Sequence, residues 1–146
     1  MFAQLLLAWD GSPPAQRALD LAVSIARRFG TQITAISVAY SPEHAETEED
    51  RIESVNATRR FLGESFLRVR DRAELAGVTV EHVIVEGEDP ADEIIRYAHD
   101  HSVDLVVAGH HRGRRRPSRM LLHGLADRLI QHADVPVLIV GDSGGD

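Results

Sequence analysis

The residues best suited to chemistry lie between Val106 and Gly124, in the stretch VVAGHHRGRRRPSRMLLHG. An apolar run stops at Gly109, two histidines follow, and four arginines surround Gly113 before a helical pattern begins. Guanidinium groups beside a helix start attract anions, because the backbone amides there carry partial positive charge. The stretch could therefore be a phosphate site, a metal site, a nucleic-acid contact or a solvated turn.

Metal ions and nucleic acid are the less favoured ligands of this stretch. His110 and His111 are adjacent, and adjacent side chains of an extended segment point in opposite directions, so one ion cannot easily bind both. The formal net charge of −7 and the aromatic content of 5% argue against a general affinity for nucleic acid. A phosphate or nucleotide contact and a solvated charged loop both stay open, and we predict no metal site and no catalytic residue.

The composition restricts the chemistry further. The 146 residues fit one domain, which we predict over residues 1–141, with a flexible tail at 142–146. The sequence contains no cysteine, and all 16 basic residues are arginine, so thiol and lysine chemistry are excluded. Neither a secretory leader nor a long apolar segment is recognisable, and we expect a cytosolic protein that does not enter the membrane.

Short apolar segments alternate with helical patterns along the chain. The predicted strands are Leu5–Trp9, Ile33–Ala39, Val78–Val85, Asp104–Ala108 and Pro136–Val140. Four amphipathic helices separate them, which indicates an α/β fold with a parallel sheet covered on both faces. In such sheets ligands bind beyond the carboxyl ends of the strands, where the loop after Ala108 lies.

The predicted helices have recognisable starts and apolar faces. The second helix begins near Ile52, after an acidic stretch at 41–50 that is a loop or a solvated helix start. The N-caps expected for the other three helices are Ser12, Asp89 and Ser118. Positions expected on the buried faces of the first and last helix include Phe29 and Ile130.

With these elements in place, the chain resembles the universal stress protein family across nearly its full length. The matching segments are LLLAWDGSPPAQRAL, EGEDPADEI, DLVVAGHH and SRMLLHGLADRLIQHADVPVLIV. The resemblance implies a Rossmann-like, five-stranded parallel sheet of order 3-2-1-4-5, similar to that of the adenine nucleotide alpha hydrolases. It also implies a stress-response regulator that binds ATP or a related adenine nucleotide, with Mg²⁺, and forms a homodimer through Pro136–Val140.

The resemblance further implies where the nucleotide binds. In members that bind ATP, the acid after the first strand, here Asp10, and the residue ending the second, here Val38, lie around the adenine. The phosphates and ribose lie against a glycine-rich loop. Carried over residue by residue, the implied site consists of Ala8, Trp9, Asp10, Gly11, Val38, Ala108, Gly109, His111, Arg112, Gly113, His123, Gly124 and Leu125.

The loop departs from the pattern of the family, in which a second glycine and a closing glycine with serine or threonine follow the first glycine. Arg112 occupies the second glycine position, and Gly113 comes one place late. The closing pair falls on His123-Gly124, or alternatively on Gly124-Leu125, and the hydroxyl is missing. Each lost contact to a charged group is worth about 1.5–3 kcal/mol. The arginines could offset this loss by binding phosphate through their side chains.

Three functions follow as hypotheses. The first is a dimer that binds an adenine nucleotide, and the second is a protein-interaction dimer that has lost nucleotide binding. The third, an enzyme related to adenylating hydrolases, is weak because WDGSPPA stands where those enzymes carry a serine–glycine–glycine–aspartate–serine loop. We therefore expect no enzymatic function, although slow ATP hydrolysis is compatible with the sequence.

Overall fold

Five strands and four helices alternate in the residues that the computed structural model describes, 3–40, 47–110 and 124–141. The strands are β1 (Gln4–Ala8), β2 (Gln32–Tyr40), β3 (Val80–Gly87), β4 (Leu105–Gly109) and β5 (Val137–Val140). The helices are α1 (Pro13–Phe29), α2 (Glu48–Leu75), α3 (Pro90–Asp100) and α4 (Leu125–His132). All strand pairings are parallel and the sheet order is β3-β2-β1-β4-β5, so the predicted fold and strand order are confirmed.

The core has two halves, because successive side chains of β1 point to opposite faces of the sheet. Leu5, Leu7 and Trp9 pack with α1 and α2 on one face. Leu6 and Ala8 pack with α3 and α4 on the other. All five residues are at most 1% exposed, so apolar burial on both faces holds the sheet between its two helix layers.

Side-chain caps set the starts of α1 and α3, as predicted. The Ser12 hydroxyl accepts a hydrogen bond from the amide of Ala15 at 3.3 Å. The Asp89 carboxylate accepts one from the amide of Ala91 at 3.0 Å. Both contacts use amides that lack a partner within their helix. The third predicted cap, Ser118, lies outside the described residues.

Helix α2 begins at Glu48, four residues before the predicted start at Ile52. The Thr47 hydroxyl accepts the amide of Asp50 at 3.0 Å and caps the helix there. Three acidic residues in the first turn add to this, since negative charge is favourable at a helix N-terminus. The acidic stretch thus ends as a solvated helix start, one of its two predicted states, while residues 41–46 lie outside the described part.

Two side chains expected in the core are exposed. Phe29 is 62% exposed because it is the last residue of α1, and the chain turns at Gly30 directly after it. Ile130 is also 62% exposed, and it lies at the edge of the apolar stripe whose centre is Leu129. The expectation of burial was wrong at both positions. Helical periodicity indicates which side of a helix is apolar, but not how much of that side is buried or how close to the helix end burial extends.

Asp104 fixes the start of β1 against the start of β4. Its Oδ2 atom accepts hydrogen bonds from the amides of Ala3 (2.7 Å) and Gln4 (2.9 Å). We expect Asp104→Ala to lower the free energy of unfolding by about 1.5 kcal/mol, because both amides lose a charged acceptor. Urea unfolding measures this, with Asp100→Ala at the exposed end of α3 as control. Equal stabilities of the two variants would contradict the role given to Asp104.

Candidate functional site

The candidate site is the crevice at the carboxyl edge of the sheet, between β1 and β4. These strands are neighbours, but the helices that follow them leave to opposite faces. Such a reversal of winding opens a crevice beyond the strand ends, which is where parallel sheets bind ligands. The predicted site residues of β1, β2 and β4 meet at this edge of the sheet.

The core beneath the crevice is apolar. Ala8, Val38, Ala108 and Leu125 belong to one hydrophobic cluster on the face covered by α3 and α4. Ala8 and Ala108 are fully buried and Leu125 is 2% exposed, whereas Val38 is only partly buried. Four predicted site residues from three strands and one helix are thus brought together on the same face.

Asp10 acts within the turn that leads into α1. It is 5% exposed, and its Oδ1 atom accepts hydrogen bonds from the amide of Ser12, at 2.9 Å, and from the Ser12 hydroxyl. The carboxylate therefore holds the residue that caps α1. Gly11 between them has a φ of 82°, and a side chain there would meet the Ser65 hydroxyl at 3.1 Å. The turn consequently requires glycine at this position.

The Trp9 side chain lies on the opposite face from the crevice. Its indole is 1% exposed, its Nε1 donates to the Ser65 hydroxyl at 3.1 Å, and its ring packs edge-on against Phe66 at 5.6 Å. Only the main chain of Trp9 is left at the crevice edge. The resemblance placed Trp9 in the site by position alone, whereas an indole N–H in an apolar strand needs a buried partner, which here is Ser65.

A network of polar side chains, formed by Ser37 and His82, is hydrogen-bonded to the end of β1. It was not predicted from the sequence. The Ser37 hydroxyl donates to the Trp9 carbonyl at 2.7 Å, so it accepts from Nε2–H of His82, which is 2.8 Å away. The imidazole also stacks on Phe66, with 4.5 Å between ring centroids. Burial and, to a smaller extent, the charge of Arg70 lower the pKa of His82 from 6.5 to about 4. His82 is therefore a neutral donor at pH 7.

Two glycines of the family pattern are described, and each has a local structural reason. A Cβ on Gly109 would lie 2.5 Å from both the carbonyl carbon and oxygen of Pro14, so the start of α1 passes directly over the end of β4. Gly124 precedes α4 with a φ of 79°, a region that residues with a side chain rarely adopt. A residue with a side chain would be strained at position 124.

The remaining predicted site residues lie outside the described part of the chain, in the segment 111–123. They are His111, Arg112, Gly113 and His123. The ends of this segment are defined, since the His110 amide donates to the Val140 carbonyl at 2.9 Å and Gly124 leads into α4. In the described ranges, no cluster of three or more His, Cys, Asp or Glu side chains could hold a metal ion.

Comparison with known proteins identifies the family. The sequence model of the universal stress protein family matches residues 1–141. This chain belongs to that family. A universal stress protein of Methanocaldococcus jannaschii is 32% identical over 142 residues, which cover 96% of this chain and 82% of the relative. A universal stress protein of Bacillus subtilis is 30% identical over 154 residues, covering 96% and 99% of the two chains.

Solved structures of universal stress proteins share the fold. A family member from Burkholderia pseudomallei is 28% identical with a TM-score of 0.72, covering 95% of this chain and 96% of its own. Three others hold adenine nucleotides, each with a TM-score of 0.67. One in complex with cAMP is 24% identical, covering 94% of this chain and 96% of its own. One from Archaeoglobus fulgidus with dAMP is 22% identical, covering 96% and 99%, and one from Arabidopsis thaliana with AMP is 20% identical, covering 97% and 94%. Over the described ranges of this universal stress protein, no helix is both long and apolar enough to cross a membrane.

Proposed function

We propose that this universal stress protein binds an adenine nucleotide in the crevice between β1 and β4 and acts in the stress response as a binding protein, not an enzyme. The observation that carries the proposal is the convergence of Ala8, Val38, Ala108 and Leu125 on one face at the point where the winding reverses. The nucleotides held by three universal stress proteins of the same fold support it. A cytosolic location, expected from the sequence, belongs to the same proposal.

Each part of the crevice suits a different part of a nucleotide. Val38 is only partly buried, so its side chain offers apolar surface for a flat purine ring above the buried Ala8 and Ala108. Helix α4 begins at the crevice, and its first amides present partial positive charge to a phosphate. The arginines of the segment 111–123 are available in the sequence to add positive charge for ATP, which would bring its own Mg²⁺.

We also propose a homodimer through β5. In the described ranges each edge strand of the sheet pairs with only one other strand, but the two edges differ in character. Edge β3 is shielded by α2: Arg51 pairs with Glu86 at 2.7 Å, and Arg59 reaches the Ile84 carbonyl at 3.5 Å. Edge β5 consists of four half-buried apolar residues, Val137 to Val140, and only β4 pairs with it. An uncharged edge of this kind favours pairing with a second copy.

The second candidate function is a protein-interaction dimer that binds no nucleotide. The missing serine or threonine hydroxyl of the closing pair, at His123-Gly124 or Gly124-Leu125, favours it because a phosphate contact is lost. Both candidates use β5 in the same way. Nucleotide binding alone separates them.

The direct test is mass spectrometry of nucleotide released from the denatured protein, together with calorimetric titration of the nucleotide-free protein with AMP, cAMP and ATP–Mg²⁺. We expect at least one adenine nucleotide to bind with one site per chain and GMP, the control for the base, to bind more weakly. Thin-layer detection should show no steady production of ADP. Absence of binding for all three adenine nucleotides would contradict the proposal and leave the protein-interaction dimer.

A further inference from the structure

Arg128 joins the start of α4 to the start of α3. Arg128, in the first turn of α4, donates through Nη1 to Oδ2 of Asp89 and through Nη2 to Oδ1 of Asp92, the latter at 3.4 Å. Asp89 closes the connection between β3 and α3 and caps α3 with its other carboxylate oxygen. The Arg128 amide donates to the Gly124 carbonyl at 3.2 Å, so the same residue closes the first turn of α4.

The contact is an ion pair between partly exposed groups. The Arg128 side chain is 45% exposed and that of Asp89 is 31% exposed. Partial burial raises the pKa of Asp89, but the hydrogen bonds from Arg128 and from the amides of Asp92 and Ala91 outweigh this and lower it. The hydrogen bond to Asp89 raises the pKa of Arg128. Both groups therefore keep their charges around neutral pH.

We propose that Arg128 is a positioning residue of the nucleotide site, which holds the start of α4 at a fixed distance from the start of α3. This inference rests on the proposed function. Gly124 and Leu125 supply the first amides of α4, and Leu125 also packs in the apolar core beneath the crevice. Displacement of α4 would move both groups relative to Ala8 and Val38. Binding geometries tolerate errors of only about 0.5 Å, so affinity depends on this link.

The test compares variants that break the link with a matched control. Arg128→Gln removes the donor, and Asp89→Ser removes the acceptor while serine still caps α3. Arg96→Gln is the control, because Arg96 pairs with Glu93 at 2.8 Å inside α3 and, among the described residues, forms no ion pair with a second element. Each protein is titrated with AMP, and amide hydrogen exchange is followed in residues 125–129.

Both link variants are expected to bind AMP on the order of tenfold more weakly, and the double variant no worse than either. Their amides in α4 should exchange faster, Arg128→Lys should recover part of the affinity, and Arg96→Gln should resemble wild type. Unchanged exchange in Arg128→Gln, or faster exchange with unchanged AMP affinity, would overturn the inference. If the wild-type protein binds cAMP or ATP–Mg²⁺ but not AMP, the same variants are titrated with that nucleotide. If it binds none of the three, the proposed function fails, and exchange alone decides whether Arg128 fixes α4.

Discussion

Gly109→Ala should lower the free energy of unfolding by about 3 kcal/mol, the upper end of the range for overpacked sites. The added Cβ would lie 2.5 Å from the carbonyl carbon and oxygen of Pro14 and 2.8 Å from its Cβ. The contacted atoms belong to the main chain and a proline ring, which cannot rotate away. The start of α1 must therefore shift away from β4, which breaks packing along the whole of that helix.

Gly141→Ala is the matched control for this substitution. Gly141 directly follows β5 as Gly109 ends the neighbouring β4, but a Cβ there would meet no atom within 4 Å. Urea unfolding should show a stability within about 0.5 kcal/mol of wild type for the control, as for most surface substitutions. A similarly small loss in Gly109→Ala would contradict the close approach of Pro14. Nucleotide affinity should be measured in the same samples, because weaker binding in Gly109→Ala would follow from the displaced α1.

A large loss of stability in Gly109→Ala would change the explanation for the first glycine of the family pattern. A glycine next to a phosphate is usually explained by the approach of the ligand to bare backbone. Here the helix that follows β1 already requires glycine at position 109, whatever the crevice binds. The presence of Gly109 is therefore weak support for nucleotide binding, and the cluster of Ala8, Val38, Ala108 and Leu125 is stronger.

The architecture could be predicted from the sequence because it depends on local patterns. Apolar runs gave all five strands, and the caps Ser12 and Asp89 marked helix starts through contacts with amides two or three residues away. The boundaries of β3 were less accurate, since the amide of Val78 still donates to Ala73 of α2 and the strand begins two residues later.

The side-chain network around the site could not be predicted because its partners are far apart in the sequence. His82 and Ser37 are 45 residues apart, and Arg128 and Asp89 are 39 residues apart. Neither pair has a spacing that periodicity detects. The side-chain direction of Trp9 was available from the alternation along β1, which puts it with Leu5 and Leu7. Which face holds the crevice, however, depends on where α1 and α4 pack.

The second large effect concerns pH and comes from His82. Its pKa of about 4 in the folded protein lies below the ordinary value of 6.5, so the unfolded chain takes up a proton at higher pH than the folded one. The stability contributed by the neutral imidazole is complete above pH 6.5 and is lost as the pH falls toward 4. Since the ring is only half-buried and partly screened by water, we expect a loss of about 2 kcal/mol over this window.

The loss can be assigned to His82 by comparing wild type with His82→Gln, because glutamine can still donate to Ser37 but does not titrate. Urea unfolding at several pH values should show wild type falling by about 2 kcal/mol more than this variant between pH 7 and pH 4. Arg70→Gln removes a nearby positive charge and should raise the pKa of His82. The pH range between the folded and unfolded pKa values, over which stability is lost, then becomes narrower. His132→Gln, at an exposed position of α4, should follow wild type. Equal pH profiles for wild type and His82→Gln, or an NMR titration of the His82 ring near 6.5, would contradict a half-buried, neutral imidazole beneath the end of β1.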